Sequence, residues 1–279
     1  MPRFTIVRNG ALGDILTILH LRDQIRQKFG PFDLYCHPTC HAILNTFVEK
    51  NDLCDGFYSS LTGFPAHALG LTMYPFHEGY PNQGHPKKHI LHYVQDELGL
   101  PNEWPDGLSL IGGIKQKNLI TIQTTTGWSR WKEYPWNEDL IDALRLDFRI
   151  VQVGGPNTPI LNGIKEHTIG LPFEDSLLMQ SQAAFHIGPD SVFNHTTHYK
   201  WSGGRTLGVI YFGSTSHKLT GYPTNKNLSL DLPCQPCFRE NPEISNQNIT
   251  PCPYGHKCLN DLTPEQVVSI IRESYDKIN

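Results

Sequence analysis

No run of about 18 apolar residues occurs in the sequence, so no membrane-spanning helix is predicted. The amino-terminal stretch MPRFTIVRNG lacks the long apolar segment of a secretory signal. Neither sign of charge prevails: 23 Lys and Arg stand against 27 Asp and Glu, a net charge of -4. The bulk field therefore gives no reason to expect nucleic acid or an anionic membrane as partner, although a local basic cleft remains compatible with it. The seven cysteines are an odd number, which argues against a complete disulfide framework and for a reducing, cytoplasmic setting. Internal repeats and low-complexity tracts are lacking. So are the dinucleotide fingerprint G-x-G-x-x-G and the phosphate loop G-x-x-x-x-G-K-[ST]. What is there is an ordinary globular composition, 38% hydrophobic and 18% charged, over 279 residues, enough for one large domain or two medium ones.

Short apolar runs alternate with helical periodicity. Strands are predicted over 4–8, 32–36, 56–60, 119–123, 149–153, 184–188 and 206–212. Helices are predicted over 14–29, 39–48, 89–98, 137–146, 176–181, 193–199 and 264–278, the last capped by Thr263. Residues 61–88, rich in Gly, Pro, His and aromatics, read as loop. This alternation implies an α/β protein with mainly parallel sheets, in two units that divide near residues 101–118. Ligands of open parallel sheets bind beyond the carboxyl ends of the strands. Asp14 and the segments 124–132, 154–156, 190–195 and 213–216 all follow strands and could converge on one cleft.

Asn9-Gly10-Ala11-Leu12-Gly13-Asp14 turns the chain from a strand into a helix. Asp14 there reads either as a helix cap, favoured by the free N–H groups and dipole, or as a general base for an acceptor hydroxyl. Asp190, Ser191 and His195 lie between a buried strand and a helix. Backbone amides and the Ser191 hydroxyl at such a start can receive a diphosphate, with Asp190 holding the loop and His195 either donating to phosphate or satisfied within the turn. In residues 124–136 the hydroxyls of Thr125 and Thr126 accompany Arg130 and Lys132, cations able to neutralise a diphosphate leaving group or simply to face solvent.

Taken in order, several segments resemble the ADP-heptose:lipopolysaccharide heptosyltransferases, glycosyltransferase family nine. ALGDILTILHLRDQIRQKFG looks like the family's opening, and TTGWSRWKEYPWNEDL is similar to its W-x-x-K-x-W-P loop, with Tyr134 in place of Trp. VQVGGPNTP resembles a V-x-x-G-G-P turn. LPFEDSLLMQSQAAFHIGPDSVFNHTTHY looks like the segment ending G-x-D-[ST]-G-x-x-H, with Val192 in place of Gly. LGVIYFGSTSH and the tail LPCQPCFRE…CPYGHKCLNDLTPEQVVSII complete the resemblance, which is weakest over residues 33–117. It implies a GT-B fold, two Rossmann-like domains with the active site between them: an acceptor-side domain at 1–115, a donor-binding domain at 116–262 with a cysteine-rich finger at 232–260, and a closing helix at 263–279. It also implies an inverting transfer without a catalytic metal, and the chain contains no D-x-D pair of the kind metal-dependent transferases use. By resemblance Asp14 is the base. Gly13, Thr125, Thr126, Arg130, Lys132, Asp190, Ser191 and His195 belong to the donor site, and Glu174 falls near the donor ribose. The donor expected is a nucleotide sugar, ADP-linked by preference; the acceptor is a hydroxyl of a saccharide, protein or other molecule. Val192 adds a side chain where backbone approaches phosphate, which bears on donor geometry.

Cys234, Cys237, Cys252 and Cys258 read C-x2-C-x14-C-x5-C, a donor set suited to a tetrahedral thiolate site for structural zinc or iron, or else a group of buried free thiols. Autotransporter heptosyltransferases, relatives of the family, carry a structural iron in a similar finger. The Cys36-His37 and Cys40-His41 pairs read as packing. A different reading of the chain is a non-catalytic nucleotide-sugar-binding or interaction protein with a structural metal finger.

Overall fold

The computed structural model describes residues 3–73, 86–127, 129–237 and 252–278. The remainder of the predicted 61–88 loop, Trp128 and residues 238–251 of the cysteine-rich segment lie outside the described residues. The first unit is built from β1 (Phe4–Arg8), α1 (Leu12–His20), α2 (Arg22–Phe29), β2 (Phe32–Cys36), α3 (Pro38–Lys50), β3 (Gly56–Ser59), β4 (Leu69–Gly70) and α4 (Ile90–Leu98). Its strands form a parallel sheet in the order β3-β2-β1-β4. Alternation sets the faces: Phe32, Leu34 and Cys36 are buried, whereas Asp33 and Tyr35 between them are only partly so.

The helix predicted over 14–29 is two helices that meet at Leu21. The two segments have different surroundings to satisfy. Residues 14–20 are all buried, while of α2 only Ile25 is. The break at Leu21 separates an apolar segment kept in the core from a charged one left largely at the surface. His37 and His89 open α3 and α4 by accepting the N–H groups of Thr39 and Leu91 at 3.3 and 3.2 Å. His41 meets the Phe57 carbonyl at 3.2 Å, and Cys36 and Cys40 are buried, so these residues serve packing.

A short strand, β5 (Ser109–Leu110), precedes the second sheet. That sheet uses β6 (Gln116–Gln123), α5 (Asn137–Leu144), β7 (Arg149–Val153), β8 (Glu166–His167), α6 (Phe173–Gln182), β9 (Ala183–Pro189), α7 (Val192–Thr196), β10 (Lys200–Trp201), β11 (Leu207–Tyr211), α8 (His217–Thr220) and β12 (Lys226–Leu228). The order is β12-β11-β9-β6-β7-β8, parallel throughout, while β10 pairs with β5 apart from it. Every residue of β9 is buried, as expected of a central parallel strand covered on both faces. After α9 (Lys257–Asn260) the chain closes with α10 (Pro264–Ile278). Its start is a reciprocal box: Thr263 N–H donates to Gln266 Oε1 at 2.8 Å, and Gln266 N–H to Thr263 Oγ1 at 3.4 Å.

One apolar core crosses from the first sheet into the second. It joins Ile6, Leu16, Leu34 and Leu91 to Phe193, Tyr199, Trp201 and Leu219. The helix α1 is therefore packed directly against α7, and the loops that follow β1 and β9 are brought face to face.

Candidate active site

At the end of β1 the chain turns at Gly10 into α1, and Asp14 occupies the first turn of that helix. Asp14 does not cap it: the N-cap is Ala11, which makes no side-chain cap bond. Its carboxylate turns instead to Arg8, the last residue of β1. Arg8 Nε and Nη2 donate to Asp14 Oδ2 at 3.1 and 3.0 Å, and Arg8 Nη1 donates to the Leu71 and Thr72 carbonyls at 2.9 and 3.0 Å. The pair is nearly buried, with side-chain exposures of 13% and 9%. A Cβ on Gly10 would stand 2.0 Å from Asp14 Oδ2, so any side chain there would push the carboxylate out of its place against Arg8. Arg8 and Gly10 are parts of the site the sequence reading missed. A cation closing a strand six residues before the acid was the available signal.

The second half contributes Asp190, at the end of β9. Lys132 Nζ donates to its carbonyl and its Oδ2, both at 3.2 Å, and Asn194 Nδ2 donates to Oδ1 at 3.2 Å. Burial opposes the charge on Asp190. Lys132 and His195 outweigh it, aided by the hydroxyls of Thr215 and Thr220, which face the carboxylate, and the carboxyl is held below its ordinary range. Asp190 is thus a buried carboxylate whose charge is matched by the cation of the 130–132 turn.

His195 links the two acids. It feels the negative charge of both Asp190 and Asp14, yet burial dominates and keeps the imidazole below its ordinary range. Its Nδ1 meets the Tyr222 hydroxyl at 2.9 Å and the Thr17 hydroxyl at 3.4 Å, with donor and acceptor set by the tautomer. Its carbonyl accepts His20 Nε2 at 2.9 Å. Its Nε2 abuts Gly13, where a Cβ would lie 2.6 Å away. Gly13 is therefore the point at which the two loops touch.

Ser191 accepts from Gln123 Nε2 at 3.1 Å, and the same nitrogen donates to the Thr125 carbonyl at 2.9 Å. This ties the 124–126 loop to the start of α7. The Thr125 hydroxyl is shared with Thr158 at 2.9 Å, and Thr126 holds its own loop through Ser129. Arg130 is exposed on the short turn at Arg130–Lys132. Glu174 is half-buried in the first turn of α6, and among the described residues no hydrogen bond or ion pair joins it to Asp14, Asp190 or Lys132. Val192 opens α7 and packs against the apolar core, so the side chain that replaces glycine is taken up by packing. Asp14, Gly13, Lys132, Asp190, Ser191 and His195 are thus brought together with the 125–126 loop beside them.

None of the seven cysteines forms a disulfide. Cys234, Cys252 and Cys258 all act electrostatically on Cys237, so the four thiols are neighbours; burial first, then their mutual repulsion as thiolates, pushes Cys237 up to about 12 and Cys258 to about 11. Four sulfur donors on two segments fit a tetrahedral thiolate site in composition. Among the described residues, no group of three or more His, Cys, Asp or Glu is arranged to hold a metal ion as it stands.

The two parallel sheets and the meeting of their carboxyl-end loops define a GT-B fold. Among solved structures, the chain is similar to the iron-containing dodecameric glycosyltransferase TibC from enterotoxigenic E. coli H10407: 15% identity, TM-score 0.75, covering 100% of this chain and 77% of that one. TibC has also been solved in complex with ADP-D-β-D-heptose, at TM-score 0.73 and 16% identity over the same shares of the two chains. A family 9 glycosyl transferase from Veillonella parvula DSM 2008 matches at TM-score 0.67 with 13% identity over 99% and 97% of the two chains. The E. coli heptosyltransferase WaaC with ADP matches at 0.60 with 14% identity over 98% and 99%. No protein-family model matches the sequence, and no curated protein matches it by sequence.

Proposed function

We propose that this protein is an inverting glycosyltransferase that moves a sugar from a nucleoside-diphosphate donor to a hydroxyl, with Asp14 as general base and no catalytic metal. The observation that carries the reading is the convergence at His195: an acid on a strand-to-helix turn of one half, Asp14, faces an acid–lysine pair of the other half, Asp190–Lys132, across one imidazole. In the reaction Asp14 accepts the proton of the acceptor hydroxyl. The hydroxyl oxygen bonds to the anomeric carbon as the bond from that carbon to the diphosphate oxygen breaks on the opposite face. Lys132, Ser191 and the amides at the start of α7 take up the charge that develops on the departing diphosphate. His195 orients that phosphate, and the loop bearing Thr125, Thr126 and Arg130 closes over it. Residues 1–115 supply the acceptor side and residues 116–262 the donor side.

The donor favoured is an ADP-linked sugar, with heptose the first candidate, in line with the ADP-heptose found in TibC. A zinc or iron ion bound by Cys234, Cys237, Cys252 and Cys258 is a structural staple for the cysteine-rich segment and takes no part in the transfer. The fold and the reduced thiols suit a cytoplasmic enzyme. The test is thermal shift and calorimetry with a panel of nucleoside diphosphates and their sugars. An ADP-linked donor is expected to stabilise the protein, and Lys132→Met to weaken it about tenfold or more, the loss of one charge-assisted contact. A protein unmoved by every nucleotide in the panel overturns the reading.

A further inference from the structure

Loop 212–216, which follows β11, presents two side chains in an unusual state. Ser214 is 1% exposed and Thr215 6%, and among the described residues the Ser214 hydroxyl meets no hydrogen-bond partner. Thr215 faces the Asp190 carboxylate. A buried hydroxyl without a partner is unfavourable, and a loop free to relax would turn Ser214 toward one. Something outside the loop has to hold it.

The restraint comes from the turn between Cys234 and Cys237. Gln235 Nε2 donates to the Phe212 carbonyl at 3.0 Å and to the Gly213 carbonyl at 2.8 Å. The Cys237 N–H donates to the next carbonyl, Ser214, at 3.0 Å. Three successive carbonyls of the loop are thus taken by one short turn. Gln235 is itself fixed, since its Oε1 accepts the Leu232 N–H at 2.9 Å and its own N–H donates to the Leu232 carbonyl at 2.8 Å. The loop cannot back away on its other side either: a Cβ on Gly213 would lie 2.6 Å from the Trp131 carbonyl and 3.0 Å from Leu259. The chemistry requires an amide at 235. Two carbonyls need two N–H donors on one nitrogen, which Gln provides and the isosteric Glu or Met does not.

We propose that Gln235 is a positioning residue of the donor site: it fixes loop 212–216 so that the Thr215 hydroxyl beside Asp190 and the buried Ser214 hydroxyl next to it stand ready for a nucleoside-diphosphate donor. This rests on the nucleotide-sugar reading. Ser214 and Thr215 then contact the donor directly, and Gln235 acts only through them.

The experiment compares wild type with Gln235→Met and Gln235→Glu by hydrogen exchange, by calorimetry with ADP and by unfolding temperature without ligand. Gln235→Met is expected to speed exchange of the 213–216 amides and to weaken ADP, each about tenfold, the scale of one or two lost neutral hydrogen bonds. Gln235→Glu is expected to weaken ADP further, because its carboxylate faces two carbonyl oxygens. Exchange in α1 and β1 should be unchanged in both variants. Wild-type exchange at 213–216 overturns the proposal, and so does acceleration spread evenly over the chain, which would mark a merely structural role. Wild-type ADP affinity in a variant with a loosened loop also overturns it. If wild type itself fails to bind ADP, the nucleotide reading fails, and with it the donor-site role of Gln235, whatever the exchange shows about the loop.

Discussion

Replacing Lys132 with methionine removes the cation from a carboxylate that cannot reach water. The side chains of Lys132 and Asp190 are 13% and 5% exposed, and they meet at 3.2 Å. Taking one partner from a buried pair strands the other charge, at a cost of about 3–5 kcal/mol. His195 and Asn194 remain beside Asp190, so the lower figure applies, and about 3 kcal/mol corresponds to a fall in Tm of about 6 °C for a chain of this size. The sign with pH follows from the direction of the shift. Asp190 is depressed in the folded protein, so its contribution is full above the unfolded carboxyl value of about 3.9 and is lost as pH falls through the lower folded value. At pH 7 the whole effect of Lys132→Met is therefore visible by calorimetric scanning. Adding Asp190→Asn removes the stranded charge and should restore about half of the loss, a non-additivity that marks direct coupling. If Lys132→Met leaves Tm within about 1 °C of wild type, Asp190 is not a buried anion held by Lys132.

Gly10→Ala would place a Cβ 2.0 Å from Asp14 Oδ2, so donor turnover should fall about a hundredfold or more while circular dichroism stays native; unchanged turnover would show that the Arg8–Asp14 geometry is irrelevant. Gly13→Ala meets the His195 ring at 2.6 Å and should widen the gap between the halves, read as weaker donor binding by calorimetry. His198 is pushed down to about 4 by burial, so it is neutral when folded and stability should fall as pH drops from about 6.5 toward 4. At pH 5 that loss is about 2 kcal/mol, and His198→Asn should flatten the slope in urea titrations between pH 7 and 5. Purified protein should carry about one zinc or iron by elemental analysis, a content lost on Cys237→Ser.

Much of this was legible in the sequence, and the limits have physical causes. Five-residue strands rich in apolar and β-branched residues, such as β1, β7 and β11, announce themselves; the two-residue strands β4, β8 and β10 have no period to read and exist only because a neighbour pairs with them. The split at Leu21 was hidden because both segments keep helical spacing and differ only in what surrounds them. Asp14 could be singled out from its place after a strand. Its distinction from a helix cap could not, since that depends on Arg8 reaching back across the turn. Asp14, Lys132, Asp190 and His195 were each visible as isolated residues, and only the packing of α1 on α7 brings Asp14 to the other three. Gln235 was invisible for the opposite reason: its work is done by an amide on backbone carbonyls, which leaves no pattern in sequence.

The central claim is that Asp14 removes the acceptor proton, and turnover by wild type and Asp14→Asn, run side by side on an ADP-sugar, tests it most directly. Asparagine keeps the shape and can still accept from Arg8 through its carbonyl oxygen, so the fold and donor affinity should persist, checked by Tm and calorimetry. The account predicts donor binding within about threefold of wild type and a fall in kcat of about a hundredfold or more. Equal turnover by the two proteins would contradict it and place the base elsewhere in the cleft.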